Sequence, residues 1–563
     1  MKHKSRFSAL LILLAASMLG ACGSASTDAD QSKEYLVKAW ETPAPIKYAY
    51  DTGATYFTPD DSYEGTKSSY LIYYGVLNDE IINTCKKYEV VILHPKMGNI
   101  TRDQIQEIRA SGTIVLGYIA IGEDLRTAGM TPEQMLQDKR FTGDGTGPRV
   151  DPRPAGETSL DGIDISGLPS PGGTGYASYF LDDNNFDGRP DINPIFNCAF
   201  TNIGDPAWFE ALDQMTIDGQ DQIPGIKEIL TDEYGRGLGC DGLFLDTIDT
   251  CAPNIYTDDN SPNKTKFEWT APGVAEFTKH LKEEYPDKLV LQNRGIFFYN
   301  PVLPHFKYNP RTYVDYVMYE SYHLDSNTDT LYFEGYANDN RYNYAPRLVA
   351  EASRPDGFQV LSLGYAEGPA EYHLKDTLMG YSTEGLDILM EDMNVAEEAG
   401  FMHYITDGGV VLVNDFVITH EETADDTAPI WTSTYNASTA WPPEAPEPRV
   451  GVQEVVPIKD GVILRWDVAL DKNHVSYILY YQTEPFDFEK DPKLENAESL
   501  ELIPEMGEGY ENGVGPDVYP YQAQLDELDH RKTYYFLIRA RDLSDNHNED
   551  DNTVVLSAKP SRK

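Results

Sequence analysis

Positive charge is scarce in this sequence. Its 563 residues carry 45 lysines and arginines against 92 aspartates and glutamates, a formal charge of −47. So acidic a surface repels nucleic acid and anionic lipid, removes both from the list of partners, and favours polycations. The acidity runs through the whole chain, so solubility alone also accounts for it. Cysteine is scarcer still, with five residues. Cys22 stands apart, and Cys85, Cys198, Cys240 and Cys251 lack the short spacings of a zinc site. Their even number permits two disulfides in an exported protein, and they are read as structural. Beyond residue 16 there is no long apolar run, so no later segment has the length of a transmembrane helix. A G-x-S-x-G elbow, an H-E-x-x-H zinc motif and a phosphate-binding glycine loop are also missing. Carboxylate chemistry, which requires no cofactor, is what remains.

At the start of the chain Lys2, Lys4 and Arg6 precede an apolar stretch over residues 9–16, the pattern of a secretion signal. The following Leu19-Gly20-Ala21-Cys22 resembles a bacterial lipobox. The resemblance implies removal of residues 1–21 and a lipid on Cys22 that holds the protein to a membrane of the bacterial cell envelope. Gly23 rather than aspartate follows, so outer-membrane sorting is expected where the source has two membranes. Residues 22–45 are rich in Ser, Ala, Thr and Asp, which suits a flexible tether.

Over residues 46–420 short apolar runs alternate with helical patterns, the signature of repeated βα units. Strands are expected at 70–74, 89–94, 113–119, 242–246, 288–293, 315–320, 359–364 and 402–406, with helices among others at 101–110, 273–284 and 384–398. Eight strands with helical crossovers predict an α/β fold, the (β/α)8 TIM barrel. A large insertion, about residues 125–240, separates the third and fourth strands. Within it Asp183, Asn185, Asp187 and Asp191 follow the spacing D-x-N-x-D-G-x-x-D, with oxygen donors at alternate positions around a glycine turn. The closing glutamate of an EF-hand loop is absent. A structural calcium ion and a solvated turn of turn-prone residues are both compatible with this loop.

Residues 421–444 are polar and contain Pro429, Pro442 and Pro443, and read as a linker. From 445 to 563 apolar and polar residues alternate in short runs, as in a small all-β sandwich. Strands are expected at 461–466, 475–481 and 534–540. Leu528 stands six residues before Tyr534, the spacing of a tyrosine corner. This portion resembles a fibronectin type III domain, which implies a spacer or a secondary binding module.

Two strands carry the chemistry. Leu243, Phe244 and Leu245 form an unbroken apolar run that ends on Asp246, and the run from Val314 to Tyr319 ends on Glu320. In barrels of parallel strands the catalytic groups sit at the carboxyl ends, and two carboxylates are what a glycosidase needs. By analogy with retaining barrels that use these two strands, Asp246 is the nucleophile and Glu320 the acid/base. Glu123, Asp249, Asn293 and Arg294 are candidates for binding sugar hydroxyls or an amino group, although Asp249 is equally placed to cap the next helix. Tyr73, Tyr74 and Tyr118 are candidate stacking surfaces, and His94 is read as a hydrogen-bonded barrel residue.

Several of these segments resemble motifs of glycoside hydrolase family 114. They are Tyr118-Ile119-Ala120-Ile121-Gly122-Glu123, Asp205-Pro206-Ala207-Trp208, the run from Cys240 to Asp249, Gln292-Asn293, and the run from Asp315 to Ser321. They fall in family order across residues 48–415, with Ala120 where the family has serine. The resemblance implies a TIM barrel that cleaves α-1,4-linked galactosamine polymers internally, so the expected partner is a polysaccharide, and a cationic one is compatible with the chain's charge. A non-catalytic carbohydrate-binding or envelope-assembly lipoprotein on the same barrel is the competing reading. The two differ in whether Asp246 and Glu320 face each other across an open barrel mouth.

Overall fold

The computed structural model describes residues 66–562, apart from 152–158, 161–162, 165–172, 258–265, 333–336, 421–424, 436–444, 514 and 545. The secretion signal, Cys22 and the tether lie outside the described residues. Eight parallel strands close into a barrel: β1 (Thr66–Tyr73), β2 (Tyr88–Leu93), β3 (Ile114–Ala120), β4 (Gly242–Asp246), β5 (Leu289–Asn293), β6 (Tyr316–Glu320), β7 (Gln359–Tyr365) and β8 (Met402–Thr406). Each pairs with the next, and β8 returns to β1. Strands β2, β3, β5, β7 and β8 are buried along their whole length. They read as continuous apolar runs because helices cover their outer faces.

Those helices include α1 (Asp79–Cys85), α2 (Arg102–Arg109), α3 (Pro206–Gln214), α4 (Pro272–Glu284), α5 (Ala345–Ala352) and α6 (Leu386–Glu398). Helix α2 opens with a capping box between Thr101 and Gln104, which satisfies two amides that have no partner within the helix. Between β7, β8 and α6, His403 bonds Ser362 Oγ through Nδ1 (2.8 Å) and Asp392 Oδ2 through Nε2 (2.9 Å). A Cβ at Gly364 would lie 1.9 Å from that Asp392 oxygen, so only glycine lets the helix approach so closely.

A carboxylate also stands just before β4 and β6. Asp241 accepts from Arg109 (2.6 and 2.9 Å) and from the Val115 N–H. Asp315 accepts from Lys282 Nζ (2.6 Å) and the Val290 N–H. These acids latch one end of the barrel, about 16 Å from the strand ends at Asp246 and Glu320 at roughly 3.3 Å per residue.

The insertion packs onto the end of β3. Glu123–Asp124 pairs with Ala199–Phe200, and the Trp208 indole donates to the Ile121 carbonyl (2.7 Å). Arg126 is fully buried, paired with Asp124 and Asp221 and stacked between Phe141 and Trp208. The two disulfides that the cysteine count permitted do not form: Cys85, Cys198, Cys240 and Cys251 are buried free thiols. Cys240 and Cys251 lie before and after β4, farther apart than a disulfide spans.

Beyond the barrel, a pair of antiparallel sheets packs face to face in the C-terminal region. The first has the order β9-β10-β14-β13, from Val452–Ile458, Gly461–Trp466, Tyr521–Leu525 and Glu505–Met506. The second has the order β12-β11-β15-β16, from Glu498–Leu502, Val475–Gln482, Tyr534–Asp542 and Leu556–Ala558. Val462, Leu464 and Trp466 of one sheet meet Tyr477, Leu479, Phe536 and Ile538 of the other in one core. The Tyr534 hydroxyl accepts from the Asp529 N–H (3.0 Å). Some of the segment read as a linker belongs here: Ile430–Trp431 pairs with Ala469–Leu470, and Trp431 is buried. A two-residue strand is too short to show alternation. The sandwich is not a free appendage, because Ala350 of α5 enters its core and Arg354 lies over the rings of Tyr510 and Tyr521. Among the described residues no helix is long and apolar enough to cross a membrane.

Candidate active site

Three neighbouring strands, β4, β5 and β6, end on Asp246, Asn293 and Glu320. In each case the next residue has a left-handed backbone, with φ of 65° at Thr247, 56° at Arg294 and 55° at Ser321. None is glycine, so each turn costs about 1 kcal/mol or more. The chain thus leaves the sheet sharply just after each polar side chain.

Asn293 joins the two acids. Its Nδ2 donates to Asp246 Oδ1 (2.9 Å) and to Glu320 Oε2 (3.0 Å). With the two N–H bonds of an amide about 120° apart, those oxygens stand about 5 Å from each other, in the range of a retaining glycosidase. The remaining two oxygens are held alike. Tyr118 donates to Asp246 Oδ2 (2.7 Å), and Tyr365 donates to Glu320 Oε1 (2.6 Å). Both acids are half-buried, although the strand residues beneath them are fully buried, so the pair lies at the mouth of the barrel. Burial pushes the Asp246 carboxyl up and the Glu320 charge adds to this, while Asn293 and Tyr118 pull it back. Burial and the acids hold the Tyr118 and Tyr365 hydroxyls far above their ordinary range, so both remain donors.

Aromatic rings wall one side. His94 stacks on Tyr118 at 4.1 Å, and Tyr74 stands edge-on to both. Burial pushes the His94 imidazole down to about 3, and its Nδ1 accepts from the Met97 N–H. It is a neutral wall.

Tyr73, expected beside the substrate, requires correction. Its hydroxyl donates to the Val76 carbonyl, and it is influenced by Cys85 of α1. Tyr74 is the residue that feels the charges of Asp246 and Glu320. Successive side chains of a strand point to opposite faces, and Tyr73 takes the helix-facing one.

Glu123 is buried beside Tyr118 and Asp246. Its Oε1 accepts from Asn193 Nδ2 (2.6 Å), while Oε2 has no hydrogen-bond partner among the described residues. Asp249 pairs with Arg294 Nε (2.9 Å) and accepts from the Gly295 N–H (3.4 Å). These two residues thus bridge the ends of β4 and β5. Sequence reasoning missed Tyr365, one residue past the expected end of β7, and Asn193, which sits in the insertion.

In the calcium-like loop Asp183 accepts from the Asp151 N–H and the Trp269 indole. Asn185 accepts from the Asp187 N–H, Asp187 from the Arg189 N–H, and Asp191 from the Asn184 N–H. Asn185 and Asp187 are exposed. Among the described residues, the trio of acids with ligand atoms within 4.8 Å of one another lies elsewhere, at Asp425, Asp471 and Asp542.

No family model matches this chain, and no curated protein matches it. Solved structures do. The glycoside hydrolase domain of PelA from Pseudomonas aeruginosa is 14% identical, with 62% of this chain and 97% of that one covered and a TM-score of 0.36. Ega3 of Aspergillus fumigatus, in complex with galactosamine, is 12% identical, with coverages of 64% and 98% and a TM-score of 0.30. Trehalose-6-phosphate hydrolase of Bacillus licheniformis is 12% identical, with coverages of 55% and 57% and a TM-score of 0.30.

Proposed function

We propose that this protein is a retaining glycosidase in which Asp246 is the nucleophile and Glu320 the acid/base. The observation that carries the reading is the pair of carboxylates bridged by one amide at the carboxyl ends of neighbouring barrel strands. An ionised Asp246 attacks the anomeric carbon while a protonated Glu320 gives its proton to the leaving oxygen. Glu320 then takes a proton from the water that releases the sugar from Asp246. Asn293 fixes the spacing of the two acids, and the tyrosines orient each carboxylate.

The substrate is an α-1,4-linked galactosamine polymer, read from the motifs shared with glycoside hydrolase family 114. The chain's negative charge favours such a cationic glycan. The enzyme is exported and anchored by a lipid on Cys22 in the cell envelope, at the outer membrane where two membranes exist. Its fibronectin-like sandwich serves as spacer or secondary binding module.

The test is digestion of that polymer by wild type, Asp246→Asn and Glu320→Gln, with products read by mass spectrometry. Each variant should lose at least about 10³-fold in kcat/KM. Azide rescue assigns the roles: Glu320→Ala should yield the α-glycosyl azide and Asp246→Ala the β-anomer. Undiminished product from either variant would overturn the assignment.

A further inference from the structure

The side of α5 that meets the sandwich carries two arginines. Arg347 stands in the first turn, and Arg354 follows about two turns later, just past the helix end. Both therefore share the face through which Ala350 enters the sandwich core. Their exposures are 3% and 4%, and Tyr510 of the sandwich, at 0%, lies against them. The Arg354 guanidinium stands over the Tyr510 ring at 5.9 Å, and the Tyr510 hydroxyl feels the charge of both arginines.

Donors outnumber acceptors at this contact. Arg354 Nη2 donates to Glu351 Oε1 (3.4 Å), and Arg347 Nη2 donates to the Thr434 carbonyl (3.3 Å). Arg354 Nε and Nη1, Arg347 Nε and the Tyr510 hydroxyl are buried and have no hydrogen-bond partner among the described residues. Stacking on Tyr510 and Tyr521 satisfies the face of the Arg354 guanidinium but not the N–H bonds in its plane.

The charges do not balance either. Glu351 and Asp356 both pair with Arg311, and Arg354 shares Glu351. Arg347 has no ion pair among the described residues; Asp339 acts on it through its field and accepts from Asn343 instead. Burial pulls the Arg347 guanidinium below its ordinary range in spite of the acids and tyrosines around it. Arginine stays charged even so. A buried charge with idle donors is unfavourable unless something negative joins it.

We propose that Arg347, Arg354 and the Tyr510 hydroxyl bind a chloride ion between the barrel and the sandwich. The idle groups are all donors, which selects an anion, and a water molecule would accept from them without supplying the missing charge. All three side chains are buried, so the ion must be small enough to sit among them. Because the donors come from α5 on one side and from the turn before β14 on the other, chloride pins the helix to the sandwich.

The test uses the full chain. Thermal unfolding is followed as sodium gluconate is replaced by sodium chloride at constant ionic strength, and crystals grown in bromide are read by anomalous scattering. Wild-type Tm should rise by several degrees and saturate with chloride as a single site does. Bromide should lie within hydrogen-bond reach of Arg347 Nε. Arg347→Met, which keeps most of the side chain's packing and removes its charge, should lose the chloride response. In gluconate it should unfold no lower than wild type, because an unpaired buried charge is gone. Tyr510→Phe should raise the chloride midpoint about tenfold, for the loss of one hydrogen bond to an ion. Equal wild-type Tm in the two salts, an undiminished chloride response in Arg347→Met, or no bromide peak at this contact would each overturn the proposal.

Discussion

Replacing Glu123 by glutamine isolates the cost of holding an acid inside this protein. Glu123 is 3% exposed. Burial pushes its carboxyl up to about 8; the Asn193 hydrogen bond opposes this, and the Asp246 charge adds to it. An unfolded glutamate titrates near 4.5. Below that pH the group is neutral in both states and stability is at its fullest. From there to about 8 the unfolded chain holds fewer protons than the native one, so stability falls as pH rises. At about 1.36 kcal/mol per unit, the loss at pH 7 is about 3 kcal/mol. In Glu123→Gln this loss is absent. The new amide nitrogen at the unpartnered oxygen position costs about 1–3 kcal/mol, but equally at every pH. The difference in Tm between variant and wild type should therefore grow by about 4 °C from pH 4.5 to pH 7 for a cooperative unit of this size. Differential scanning calorimetry across that range reads it directly. Parallel curves for the two proteins would refute the reasoning, whatever their offset.

Two further outcomes follow from single hydrogen bonds. The proposed reaction needs Asp246 ionised, and the Tyr118 hydroxyl stabilises that form, so Tyr118→Phe should move the acidic limb of kcat/KM to higher pH. At a fixed pH on that limb the loss should be about tenfold, for a charge-assisted bond of about 1.5 kcal/mol, with little change on the plateau; an unmoved limb would sink the idea. Asp392→Ala leaves His403 Nε2 and the buried Leu324 N–H without partners. It should cost about 3 kcal/mol, read as a lower Tm, and an unchanged Tm would contradict it.

The barrel was legible because its strands are buried on both faces. Strands β4 and β8 fall where their apolar runs begin and end, and the others differ by a few residues. The same burial hid which side of a strand faces inward. With Tyr70, Leu71, Ile72 and Tyr73 all buried, hydrophobicity carries no parity, and nothing local shows that Tyr73 points outward. Asp246, Asn293 and Glu320 could be read because each is polar at the end of an apolar run. Tyr365 could not, because a tyrosine closing β7 looks like more core. Asn193 reaches Glu123 through a fold of the insertion that no local pattern announces. The cysteine count left the question of disulfides open for a different reason: an even count says nothing about distance.

The shared packing of α5 and the sandwich bears on how deletion experiments should be interpreted. A chain cut between the domains would leave Arg354 without the rings of Tyr510 and Tyr521, and Ala350 without the core it enters. Helix α5 feeds directly into β7, whose last residue, Tyr365, holds Glu320. Loss of activity in such a fragment would therefore report a loosened Glu320, the proposed acid/base, as readily as loss of the proposed binding role of the sandwich. Point substitutions on the exposed faces of the sandwich separate the two.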